Sequence, residues 1–194
     1  MARDVTTLAG RPAIGVAIAL IASVPVYAAL ALGPGVSSAS ARCPHARAHP
    51  HQVSLAKIRE ATLCLVNVER HRRNRDLLAS NARLQLAAER HTKRMLATDC
   101  LEHKCPGEPG LNRRVRRSGY TKGFDKFHFA EDLGYDNTPS QMMKAWLRSR
   151  FNRRNMLNRN FRDIGIGVGW GAAAKGVNDK RFATYTLVFG WRQK

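Results

Sequence analysis

Between Val53 and Arg73, Leu55, Ile58, Thr62, Leu65 and Val68 recur at three- and four-residue spacing, while Arg59, Glu69, Arg70 and Arg73 fall largely on other faces. That period predicts an amphipathic helix, ended by the basic run from His71 to Arg75. A second helix is expected from a Ser80 or Asn81 cap to about Thr98, with the stripe Leu84, Ala87, Ala88, His91 and Met95. His91 lies within that stripe and reads as a packed histidine at the edge of the core. Pro109 to Ser118 predicts a short basic helix stopped by Gly119. Phe127 to Tyr135 predicts a strand, its aromatics alternating around His128 and Glu131. Thr138-Pro139 pairs a capping residue with proline at the first helical position, opening a helix that carries Met142, Met143, Trp146 and Leu147. Two strands close the chain, about Asp163 to Trp170 and Phe182 to Trp191, joined through the turn-rich stretch Gly176 to Asp179. In the first of them Ile164, Ile166, Val168 and Trp170 alternate with Gly165, Gly167 and Gly169, leaving one face nearly bare. A bare face lets a helix or a ligand approach the backbone, and a packed helix is the expectation. Helices, strand, helix and hairpin in this order predict an α+β domain with helices packed on an antiparallel sheet.

The first 41 residues have a different character. From Pro12 to Ala41 the only ionisable group is the phenol of Tyr27, Arg3 and Arg11 precede the apolar run, and Ala39-Ser40-Ala41 offers a small-residue exit. This describes a secretory signal peptide over residues 1–41. The alternative is a signal anchor left in place, because the run is long enough to span a bilayer. Pro25 and the Gly33-Pro34-Gly35 break favour cleavage. The rest divides into a short tethered segment, 42–52, and a domain, 53–194, placed outside the cell or in its envelope. All four cysteines lie beyond the leader, and an even number in an oxidising compartment predicts two disulfides. Three pairings exist, of which Cys43–Cys64 and Cys100–Cys105, each closing a local loop, are favoured. The competing reading is a metal knot of Cys100, His103 and Cys105, whose spacing matches no common zinc pattern.

Charge narrows the partners. Lys+Arg number 33 against 14 Asp+Glu, a formal net charge of +19 with a sequence pI near 11.0. Only Arg3, Asp4 and Arg11 lie in the leader, so the basic character belongs to the remaining chain. A polyanion is therefore a plausible partner. The cationic clusters are Arg72-Arg73, then Arg113, Arg114, Arg116 and Arg117, then Arg148, Arg150, Arg153 and Arg154. No helix-turn-helix, zinc-finger or RNA-recognition signature accompanies them, and export argues against base-specific nucleic-acid recognition.

Specific strings carry a family resemblance. Cys64-Leu65-Val66-Asn67-Val68-Glu69-Arg70 resembles the "C-L-x-N-x-x-R" opening of bacterial CAP-superfamily domains, also called SCP-like or cysteine-rich secretory protein domains. Ala87 to Met95 is similar to their second helix, Leu101-Glu102-His103-Lys104 to the "F-S-H" step, and Arg117-Ser118-Gly119-Tyr120 to the "A-G-Y" turn. Ala130-Glu131-Asp132-Leu133 sits where the family has "G-E-N-I". Trp146 to Ser149, Arg153 to Leu157 and Phe161 to Gly167 follow "W-x-x-S-x-x-H-R-x-x-I-L … F-x-x-I-G-x-G". The ordered set covers about residues 60–192. It implies a secreted three-layer α-β-α sandwich with a central cleft.

The family often lines that cleft with two histidines and two glutamates, a group that holds Zn²⁺ in some members. The resemblance puts His103 at the first histidine and Glu131 at one glutamate. Asn152 stands at the second histidine and Ser149 where many relatives place the second acid. A neutral amide is a poor zinc ligand, so His103 and Glu131 would bind metal weakly unless His91 or His128 joined them. These two are also the only catalytic candidates, since Ser149 lacks the glycine-flanked elbow of a serine nucleophile. The expected function is a non-enzymatic binding domain that needs no cofactor. It would hold a lipid, a peptide or a cell-envelope component in a cleft containing His103, Glu131, Ser149 and Asn152. The alternatives are a metal-assisted hydrolase using His103 and Glu131, and an electrostatic binder of anionic wall polymer or nucleic acid. Membrane attachment is expected only if the leader stays uncleaved.

Overall fold

Local capping decides where the helices of the computed structural model begin; it describes residues 42–177, 179 and 181–194. The predicted leader and its cleavage lie outside these residues. Ser54 accepts from the Lys57 amide to start α1 (Leu55–Arg72), and the Asn81 side chain accepts from the amides of Arg83 and Leu84 to start α2 (Ala82–Ala97). Between them β1 is a two-residue strand, Ala79–Ser80. α3 (Leu111–Arg117) ends at Gly119, whose φ of +80° is the left-handed cap conformation. β2 (Lys126–Asp136) leads to α4 (Pro139–Arg148), which Thr138 caps from its hydroxyl with Pro139 in the first turn. The chain then breaks at Ser149, whose Oγ accepts from Asn152 N to start a separate short helix, α5 (Arg150–Met156). β3 (Asp163–Trp170) and β4 (Ala183–Gln193) complete the domain.

The strands lie in the order β1-β3-β4-β2. β4 pairs antiparallel with both β3 and β2, as expected, and the short β1 adds a parallel edge. On one face α2 and α3 bury Leu84, Ala88, Val115 and Tyr120 against Val188. On the other, α1, α4 and α5 bury Ile58, Trp146 and Met156 with Phe161, Ile166 and Leu187. This is the three-layer α-β-α sandwich. The bare glycine face of β3 receives α2: a Cβ at Gly165 would stand 2.1 Å from the Leu84 carbonyl carbon, and one at Gly167 2.5 Å from that of Ala88.

Both favoured disulfides are present, Cys43–Cys64 and Cys100–Cys105. The second excludes a metal knot at Cys100, His103 and Cys105. The segment 42–52 is more than tethered. Cys43 and Ala46 join the main core, the Ala46 carbonyl accepts from Ser140 N at 2.8 Å, and Pro50 O accepts from Trp170 Nε1 at 3.1 Å. Among the described residues no helix is long and apolar enough to cross a membrane. The turn joining β3 and β4 contains Asn178 and Lys180, which lie outside the described residues.

The outer face expected for Arg70 is overturned. Its guanidinium is fully buried and donates to the carbonyls of Asp76 (2.7 Å), Met156 (2.6 Å), Asn158 (3.0 Å) and Phe161 (3.4 Å). Carbonyl acceptors satisfy the fork that burial would otherwise strand. Burial, with Arg162 nearby, brings the Arg70 pKa down to about 10. Glu69 is likewise buried, accepting from Arg73 Nε at 2.7 Å.

Candidate functional site

Glu131 sits in the middle of β2, an edge strand, on the face covered by α2 and α3. Three elements converge on its carboxylate. The loop closed by Cys100–Cys105 delivers His103, whose Nδ1–H donates to Oε1 at 2.9 Å. α3 delivers Arg114, whose Nη1 reaches Oε2 at 2.9 Å and whose Nη2 reaches Oε1 at 3.0 Å. The same Nη2 also donates to the His103 carbonyl at 2.9 Å, tying the loop to α3. α2 delivers His91, fully buried, with Nε2 3.8 Å from Glu131 Oε1 and Nδ1 2.8 Å from Glu108 Oε1, neither aligned as a hydrogen bond. Glu108 accepts from Cys105 N at 2.9 Å through that same oxygen, and its Oε2 lies 3.9 Å from Arg114 Nε.

Burial alone would push the Glu131 carboxyl up, but donation from His103 and Arg114 overcomes it and holds the pKa below the ordinary value. The hydrogen bond to Glu131 raises the pKa of His103, whose side chain is 68% exposed and so reaches solvent with its remaining edge. The side chain of Glu131 is 1% exposed, so solvent meets the histidine and not the acid.

The expected tetrad therefore assembles only in part. His103 and Glu131 form the anticipated couple. Ser149 is a helix junction, its hydroxyl engaged with Asn152 N at 3.4 Å, and Asn152 lies in the first turn of the α5 that this contact starts. His128 faces away, stacked on Phe161 at 5.5 Å between ring centroids. Of the two histidines that could have joined the couple as ligands, His91 lies beside it, 3.8 Å from Glu131 Oε1 and without a hydrogen bond to it. Among the described residues no group of three or more His, Cys, Asp and Glu side chains is arranged to hold a metal ion. The donor set also fits Zn²⁺ poorly on chemical grounds. A guanidinium already occupies both oxygens of Glu131, and a second cation there would face its charge at contact distance.

Arg114, expected in an exposed polyanion patch, is instead buried, with Glu131 and Glu108 as its counter-ions. The spacing Leu111, Arg114, Val115 contained the signal: Arg114 shares the helix face that Val115 buries. Glu108 and the acid-flanked setting of His91 had no comparable signature. The neighbouring cations Arg113, Arg116 and Arg117 stay outside. With Lys104 they line a cavity of about 800 Å³ running along Gly107 to Asn112. A second cavity, of about 230 Å³, shares Gly107, Glu108, Pro109 and Arg117 and continues to Arg90 and Arg94. Arg148, Arg150, Arg153 and Arg154 form a separate exposed cluster on α4 and α5, in the other helical layer.

Next to the couple, Asp132 points to the opposite face of β2. It is fully buried, accepts from Asn155 Nδ2 at 2.7 Å through Oδ1, and leaves Oδ2 without a partner. Burial pushes its pKa up to about 7, against the opposing hydrogen bond from Asn155.

Known proteins are similar to this chain over most of the described domain. The cysteine-rich secretory protein family, CAP, matches residues 63–187. The uncharacterized protein YkwD of Bacillus subtilis (strain 168) is 27% identical over 112 residues, which are 53% of this chain and 39% of that protein. An extracellular protein containing an SCP domain from Bacillus anthracis is 26% identical with a TM-score of 0.54, over 71% of this chain and 43% of that one. An outer surface protein of Borrelia burgdorferi shares the fold, with a TM-score of 0.60 at 16% identity, over 73% of this chain and 97% of that one. The chain thus spans well under half the length of the two Bacillus relatives. With its Cys64 opening, its His103–Glu131 couple and its three layers, the chain belongs to the cysteine-rich secretory protein (CAP) family.

Proposed function

We propose that this domain is an exported, non-enzymatic binding module, whose ligand is an anionic component of the cell envelope held in the trough beside the His103–Glu131 couple. The observation that carries this reading is the lining of the trough, where Lys104, Arg113, Arg116 and Arg117 meet a single acid, Glu108. That acid is already committed to Cys105 N, His91 and Arg114. An open basic channel suits a chain of phosphates or carboxylates, because each contact exchanges a condensed counterion for a guanidinium or ammonium. Protonated His103 adds a further cation next to Lys104. The extracellular and surface character of the Bacillus anthracis and Borrelia relatives supports export of this chain. The leader-like pattern of residues 1–41 in the sequence supports it as well.

The hydrolase reading is disfavoured by the site's own chemistry. A general base needs a free lone pair aimed at a substrate or water; Glu131 is buried away from solvent, and His103, the member of the couple that reaches solvent, is held toward its protonated form by Glu131. Calorimetric titration with poly(glycerol phosphate), with neutral dextran as control, tests the proposal. Binding should weaken about 20-fold between 50 and 200 mM salt if some three phosphates are contacted. It should disappear in Lys104→Glu/Arg113→Glu/Arg117→Glu. Salt-independent binding, or equal binding of dextran, would overturn it.

A further inference from the structure

A second cationic surface differs in kind from the trough. From Asn137 to Arg162 the sequence holds seven Lys and Arg and no Asp or Glu. Five of these, Lys144, Arg148, Arg150, Arg153 and Arg154, are exposed on α4 and α5. In their midst Phe151 is 78% exposed, the most exposed large apolar residue among those described. A lone exposed leucine is ordinary, but an aromatic ring this exposed on a helix whose other exposed positions are arginines has no packing role to explain it. Beside it, Arg150, Arg153 and Arg154 line a shallow cavity of about 530 Å³ closed by Leu157 and Asn158. Arg153 is held in place by donating to the Leu147 carbonyl at 2.9 Å.

We infer that the α4–α5 corner docks on an anionic lipid bilayer, with Phe151 entering the acyl boundary and Arg150, Arg153 and Arg154 gripping lipid phosphates. Two neighbouring features carry this: the exposed ring of Phe151 and the basic cavity lined by Arg150, Arg153 and Arg154. A soluble polyanion would account for the arginines and leave the ring unexplained. Amphipathic surface helices bind bilayers through this combination of buried apolar area and electrostatic attraction. The corner lies in the opposite helical layer from the trough, so the inference stands independently of the proposed ligand. Docking here would present the domain to the membrane surface whether or not the leader remains attached.

Phe151→Trp in the full chain provides a reporter at the contact itself. Its emission, taken as the difference from the unaltered chain, should shift to the blue in vesicles of 30% phosphatidylglycerol. Brominated acyl chains should quench it, and pure phosphatidylcholine should leave it unchanged. Adding Arg150→Glu and Arg154→Glu should raise the lipid concentration for half-quenching at least about 25-fold, since each arginine near such a surface contributes roughly fivefold. Arg150→Lys/Arg154→Lys should retain quenching, which separates lost charge from lost folding. Quenching that survives charge reversal would mean the leader alone carries the chain to the bilayer and would overturn the inference. So would a reporter that responds to poly(glycerol phosphate) but not to vesicles.

Discussion

Replacing Arg114 by methionine removes the guanidinium and keeps most of the side-chain volume. Glu131, its side chain 1% exposed, then keeps His103 and the misaligned His91 as its only neighbours of favourable sign. Breaking a buried ion pair from one side typically costs about 3–5 kcal/mol, because the remaining charge stays desolvated. For a domain of this size each kcal/mol shifts Tm by roughly 2–4 °C, so a fall on the order of 10 °C is expected. The pH dependence is more diagnostic than the size. In the unaltered protein the folded pKa of Glu131 is depressed. Its contribution is therefore present above the ordinary carboxylate range and lost as pH falls through the folded pKa. In Arg114→Met burial becomes the dominant influence and the folded pKa rises above the unfolded one. The penalty should then be largest at pH 7 and mostly relieved near pH 4. Urea unfolding with disulfides intact, at both pH values, measures this directly. A loss below about 1 kcal/mol at pH 7, or one that does not shrink on acidification, would refute the view that Arg114 neutralises Glu131.

Three further outcomes follow from the same geometry. Asp132→Asn should stabilise the protein at pH 8 relative to pH 4: the folded pKa of about 7 lies above the ordinary value of 3.8, so the unaltered chain loses stability as pH rises through that window and stays penalised above it; equal unfolding curves at pH 8 would contradict this. Arg70→Met strands four carbonyl contacts in the 76 and 156–161 loops. It should cost about 3 kcal/mol or more in the same assay, and a loss under 1 kcal/mol would contradict the buried fork. Opening the loop with Cys100→Ser/Cys105→Ser should lower the His103 pKa towards its ordinary 6.5; an unchanged NMR titration would show that Arg114 alone positions the loop.

Period and capping made most of the fold legible, because both act within a few residues. The stripe from Leu84 to Met95 is buried as predicted, and Gly165 and Gly167 meet the backbone of the helix that carries it. The break at Ser149 was not visible: α4 and α5 are joined without a glycine or proline, and seven residues are too few to show a period. β1, two residues long, exists only through pairing with a strand more than eighty positions away. At the site, His103 and Glu131 were legible through the resemblance. Arg114 was hidden among Arg113, Arg116 and Arg117, since composition cannot say which arginine of a run turns inward. Arg70 was misplaced for the same reason: its acceptors are backbone carbonyls from distant loops, and these carry no sequence signature.

The most direct test of the central claim is an amide NMR titration with poly(glycerol phosphate), which shows where an anionic chain lies on the domain. Shifts concentrated at Lys104, Gly107 to Gly110, Arg113 and Arg117, with a secondary response at His103, are the predicted result. Shifts confined to Arg148 to Arg154, or a spectrum that does not move, would contradict a binding trough beside the His103–Glu131 couple.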